Sequence, residues 1–62
     1  MNQVKFYREK AGIQQSELAR RVGITRQALS LIELNQCDPS VKTAMKIAKE
    51  LKIDWKRLYE TV

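Results

Sequence analysis

Sixty-two residues bound the chain to one domain with a small core. The formal net charge of +5 suits a polyanionic partner, although a mildly basic balance does not by itself specify one. Two glycines and one proline argue against a turn-rich all-β fold, one cysteine excludes an intramolecular disulfide, and no histidine is present for acid–base chemistry.

The predicted elements follow in chain order. The first helix is expected from Asn2 to Ala11, with Val4, Tyr7 and Ala11 on one face and Arg8 beside them. Gly12 is placed to stop it, and Ile13 turns the chain inward. Phe6 lies about opposite Val4, where either the C-terminal tail or a second subunit would cover it. The second helix is expected from Gln15 to Val22. Gln14 stands at its cap and Glu17 at its positive end, Leu18, Ala19 and Val22 point inward, and Arg20 and Arg21 form a solvated face. A turn at Val22-Gly23-Ile24 follows. Thr25 then caps a third helix, Arg26 to Leu34. Ala28, Leu29 and Ile32 form its inner face, and Arg26, Gln27, Ser30, Leu31 and Leu34 its outer face.

Asn35 to Pro39 reads as a loop, because asparagine tolerates a left-handed backbone and proline cannot continue a helix. Cys37 has no cysteine or histidine partner, so a free thiol is expected and no metal site. Ser40 caps a fourth helix, Val41 to Leu51, whose stripe is Ala44, Ile47, Ala48 and Leu51, flanked by Val41 and Met45. Lys42, Lys46 and Lys49 project from its other side. After Asp54, a capping residue, Trp55, Leu58, Tyr59 and Val62 recur at helical spacing and predict a fifth helix. The last helix carries more apolar surface than so small a core usually buries, so these four are candidates for a dimer interface. The alternative is that Leu58 and one aromatic seal the core.

Two of these helices, QSELARRVGITRQALSLIEL from Gln15 to Leu34, form a helix-turn-helix unit, whose second helix can enter a DNA major groove. Residue size and polarity match across twenty consecutive positions, and the chain resembles the Cro/C1-type (Xre) helix-turn-helix family of regulators. Gln14, where the family often has Ser or Thr, and Asn35, where it often has Gly, are departures. The resemblance implies an all-α, compact, lambda-repressor-like bundle of five helices. It places base contacts at Arg26, Gln27 and Ser30, and Leu31 faces the same groove as an apolar partner for a thymine methyl. Phosphate contacts are expected from Gln15, Thr25, Asn35, Gln36 and Lys42. The resemblance also pairs Arg8 with Glu33 in a structural ion pair between the first and third helices, and sets dimer contacts near the C-terminal end.

An enzyme is not expected. The chain has no histidine, no Gly-rich phosphate loop and little room for a substrate pocket. No cofactor is expected either. The function expected is a sequence-specific regulator that binds double-stranded DNA, a repressor by preference, acting as a homodimer on an inverted repeat. The rivals are the antitoxin of a toxin–antitoxin pair, which would bind both DNA and a protein, and a protein-interaction module on the same fold. No apolar run approaches the roughly 20 residues of a membrane span, and MNQVKFYREK lacks the apolar core of a signal peptide, so the expected location is the cytoplasm.

Overall fold

The third and fourth helices each start at a capping side chain, and all four helices stop in the same way. In the computed structural model, which describes residues 3–59 and Tyr59 by its backbone alone, α1 spans Val4–Lys10, α2 Gln15–Val22, α3 Arg26–Glu33 and α4 Val41–Leu51. Thr25 accepts a hydrogen bond from the Ala28 N–H at 3.0 Å, and Ser40 one from the Thr43 N–H at 3.2 Å. Both caps satisfy amide groups that have no partner within the helix. Gln14 has the extended backbone of a cap but makes no side-chain cap bond.

The stops are left-handed residues at Gly12, Gly23, Asn35 and Lys52, with φ between 59° and 84°. After each of them the next amide reaches back five residues: Ile13 to the Arg8 carbonyl, Ile24 to Ala19, Gln36 to Leu31 and Ile53 to Ala48, at 2.9–3.1 Å. This is the Schellman arrangement, in which an apolar residue commonly follows the left-handed one. Ile13, Ile24 and Ile53 do so and pack against the core. A Cβ added at Gly12 or Gly23 would meet nothing within 4 Å, so glycine is favoured there by φ and not by crowding.

The core takes Val4 from α1, Leu18, Ala19 and Val22 from α2, Leu29 and Ile32 from α3, and Ala44, Ile47, Ala48 and Leu51 from α4. Ala19, Ala44 and Ala48 are small enough to let neighbouring helix backbones approach. Leu58, fully buried, closes this core from the last segment. The Gln3 N–H donates to the Leu58 carbonyl at 2.6 Å and ties that segment to the start of α1.

Several expectations are corrected. There are four α-helices among the described residues, not five. Trp55–Tyr59 is a short 3-10 turn. Asp54 sets its geometry: the Asp54 carboxylate accepts from the Lys56 N–H at 3.1 Å, and its carbonyl accepts from the Arg57 N–H, three residues on, at 2.9 Å. Leu58 was a candidate for a dimer interface, but with no exposed surface its side chain belongs to the core. The Tyr59 side chain and Val62, two further interface candidates, lie outside the described residues, as does Asn2, the expected start of the first helix. Ala11 is exposed, because α1 ends at Lys10 and Ala11 is its C-cap. Leu34 is likewise the C-cap of α3 and not part of it. Val41 and Met45 are exposed by 60% and 51%, since the first turns of α4 run past the edge of the core. No helix among the described residues is long and apolar enough to cross a membrane.

Candidate nucleic-acid interface

Burial of Leu29 and Ile32 turns one side of α3 to the core and leaves Arg26, Gln27 and Leu31 exposed on the other, with Ser30 half-buried between them. Gln15, at the first turn of α2, joins Arg26, Gln27 and Ser30 around one shallow hollow. The left-handed Gly23 ends α2 and lets the chain turn into α3, which packs against α2. A second hollow beside it is lined by Lys5, Arg8, Gln15, Ser30, Glu33 and Leu34.

A chain of polar contacts runs from the second hollow to the first through Gln15, which lines both. Arg8 Nε donates to Glu33 Oε2 at 2.7 Å, and Nη2 to Oε1 at 3.3 Å. Arg8 Nη1 also donates to the Ile13 carbonyl at 2.9 Å. The two side chains are only 12% and 4% exposed, so the pair is largely removed from water and its two-pronged geometry offsets that cost. Gln15 Nε2 donates to Glu33 Oε1 at 3.2 Å, and Gln15 Oε1 accepts from Arg26 Nε at 3.3 Å.

The cations of α2 are arranged differently. Arg20 and Arg21 both hydrogen-bond Glu17 on an exposed face. First the Arg20 guanidinium, then that of Arg21, holds the Glu17 carboxyl below the usual glutamate range. Their charge is partly neutralised locally.

The remaining expected contact residues lie at the margins. The Thr25 hydroxyl accepts the Ala28 N–H as the cap of α3. Asn35 and Gln36 are exposed at the other end of that helix. Lys42 is also exposed, but it lines a hollow on α4 with Val41, Met45, Lys46 and Lys49, apart from the α2–α3 hollow. Trp55 is half-buried against the core. Phe6 is 50% exposed, its ring edge-on to Tyr7 with centroids 5.1 Å apart, and Lys10 Nζ lies 5.9 Å from its centre. Lys5 is the residue that sequence reading passed over. Its place three residues before Arg8, on the same side of α1, was the available signal. Cys37 is exposed and unpaired to any other cysteine, and no group of three potential metal ligands is found among the described residues.

Comparison with known proteins agrees with this geometry. The chain is 44% identical over 48 residues to an uncharacterised HTH-type transcriptional regulator of Methanocaldococcus jannaschii, covering 77% of this chain and 73% of that one. It superposes on the Bacillus subtilis biofilm regulator SinR solved in complex with DNA, with a TM-score of 0.83, 34% identity and 92% of each chain covered. It also superposes on a SinR protein/SinI protein complex, with a TM-score of 0.84 and 33% identity, covering 92% of this chain and 56% of that one. The chain spans about three-fifths of the length of that structure and of a hypothetical transcription factor from Neisseria that it also matches. The helix-turn-helix family profile matches residues 4–58, nearly the whole chain. The chain therefore belongs to the helix-turn-helix family of Cro/C1 (Xre) type, whose members here are named as transcriptional regulators.

Proposed function

We propose that this chain binds double-stranded DNA in a sequence-specific way, with α3 in the major groove, and represses transcription from the site it occupies. One observation carries the reading. The outer face of α3 offers Arg26, Gln27 and Ser30 together in one hollow with Leu31 on the same helix, while the opposite face holds the core. Arginine can pair with guanine and glutamine with adenine through two hydrogen bonds each, and leucine can meet a thymine methyl. Gln15 and the open first-turn amides of α2 suit a phosphate, as do Thr25, Asn35, Gln36 and Lys42 at the edges. Lys5 joins this set. SinR, solved with DNA, supports the same placement by similarity of fold and sequence. Repression is the sign of control that fits occupancy alone, since occupying a promoter needs no further contact with polymerase.

Two copies on an inverted repeat complete the reading. A single α3 covers only a few base pairs, and pairing about a two-fold axis joins two half-sites. Selection of bound duplexes from a random pool tests this function. The expected result is one enriched inverted repeat whose affinity falls steeply with salt. No enrichment of any sequence overturns it.

A protein partner is the second reading, either a toxin or another regulator. SinR has been solved with SinI, and Val41 and Met45 stand exposed on α4 beside Lys42, Lys46 and Lys49. That reading predicts that Met45→Lys leaves DNA binding intact and abolishes co-purification of a partner from the native cell.

A further inference from the structure

α4 packs on α1, α2 and the last turn through Ala44, Ile47, Ala48 and Leu51, and its other side faces outward. The hollow on that outer side is lined by Val41, Lys42, Met45, Lys46 and Lys49, all from α4 itself. Counting about 100° per residue, they follow one another round the helix as Val41, Met45, Lys49, Lys42 and Lys46, apolar first and basic after. Val41 and Met45 are each more than half exposed. The three lysines make no ion pair among the described residues, whereas Arg20 and Arg21 on α2 share Glu17. An apolar strip thus lies open beside a row of cations that nothing neutralises.

We propose that this face of α4 docks an acidic amphipathic helix of a partner protein, which lays apolar side chains on Val41 and Met45 and carboxylates on Lys42, Lys46 and Lys49; this rests on the second reading above and gives its partner a chemistry. Val41 and Met45 stand one turn apart, the spacing of an i, i+4 pair on a facing helix. Methionine adapts to the side chain that it meets. Carboxylates beside such a pair meet the lysines and steer the approach. A second copy fits badly, because a two-fold contact centred here sets lysines against lysines. DNA phosphates would engage the lysines and leave the apolar strip uncovered. Two apolar side chains are too few to hold the chain in a membrane surface. Lys42 also meets a phosphate in the DNA-bound form above. Docking therefore takes that contact from the DNA and sets carboxylates beside its backbone, so that partner and DNA oppose each other.

The test titrates synthetic helical peptides into the isotope-labelled chain and follows its amide resonances. One peptide carries leucines at i, i+4 spacing with glutamates beside them. A second has lysines for the glutamates, and a third has serines for the leucines. Only the first is expected to bind, moving the amides of residues 41–49. Met45→Ser should weaken it by about tenfold, the loss that uncovering one such side chain brings. Lys46→Glu with Lys49→Glu should release the first peptide and capture the second. All three changes are at exposed positions, and circular dichroism checks that each variant is folded. At saturation the first peptide should weaken binding to a random duplex by about tenfold, through like charge beside the phosphates. Equal binding of the three peptides, shifts centred elsewhere or indifference to Met45→Ser overturns the proposal. So does binding to phosphatidylglycerol vesicles but to no peptide, or a free-chain dimer that Met45→Ser dissolves. Unchanged duplex affinity at saturation overturns the opposition to DNA. A partner that co-purifies through Met45 while no acidic peptide binds overturns the acidic chemistry and leaves the partner reading. Peptide binding as expected, with no protein co-purifying from the native cell, overturns the partner reading instead.

Discussion

Gln27 and Lys42 are both exposed polar side chains, and their loss is expected to show in different ways. Gln27 stands on the outer face of α3, and its alanine variant should lose about 1–3 kcal/mol of discrimination between the best site and random duplex. Lys42→Ala should weaken both duplexes alike and lower the salt slope by about one. Parallel titrations at two salt concentrations separate these outcomes, and equal loss for Gln27→Ala on both duplexes would remove it from base readout. Arg8 and Glu33 belong to a different class. Replacing either one with alanine leaves the other as a largely buried charge, at a cost of about 3–5 kcal/mol. That is a large part of what a domain of this size has to lose. Exchanging both for Met and Leu should be far milder, because no charge is stranded. Thermal melts of the two singles and the double are the measurement, and singles as stable as the parent would show that the pair is dispensable.

At the scale of the element, local chemistry set how much could be read in advance. The bounds of α2 and α4 were legible, because a capping position opens each and its apolar stripe runs out where it closes. The α3 start at Thr25 was legible for the same reason, and only its last residue moved inward. The final segment was not legible. Trp55, Leu58 and Tyr59 have helical spacing, but the choice between an α-helix and a 3-10 turn lies in which carbonyl accepts the Arg57 N–H. Spacing does not encode that choice. Val41 and Met45 fit the apolar stripe of α4 by angle, yet their burial depends on where neighbouring helices end. The Arg8–Glu33–Gln15–Arg26 chain was least accessible, since only its first pair was implied by resemblance and its other links need amide orientation. Lys52 is the one stop made by a residue that resists a left-handed backbone. Its strain is about 1–2 kcal/mol, partly offset by the unfolded-state freedom that glycine adds. Lys52→Gly should therefore stabilise by about 0.5–1 kcal/mol and raise Tm by a few degrees. A lower Tm would mean that the lysine side chain contributes more than its backbone costs.

The whole molecule is small beside its expected target. The described residues extend 25 × 23 × 18 Å. Successive major grooves on one face of DNA lie about 34 Å apart, so one copy cannot place recognition elements in two of them. Two copies per operator are expected, with half-site centres about one helical turn apart. Sedimentation of the complex gives the stoichiometry and footprinting gives the spacing; one chain on an asymmetric site would defeat the dimer. With Leu58 committed to the core, Leu58→Ala should destabilise the single copy by about 2–5 kcal/mol. Trp55→Ala, at a half-buried position, should weaken cooperative occupancy of the two half-sites more than it weakens binding to one.

The way the helices stop has a stereochemical corollary. A positive φ is the mirror image of the backbone that L-residues prefer, and is therefore ordinary ground for a residue of inverted chirality. Gly12, Gly23, Asn35 and Lys52 mark four such places among the described residues. A chemically assembled version carrying D-alanine at these positions would keep the stops. At the two glycines it would also shed the freedom that glycine brings to the unfolded chain. L-Alanine at the same positions would work against the turn each time, though nothing crowds its methyl group at either glycine. The boundaries of these short helices are thus set by local chirality as much as by hydrophobic pattern.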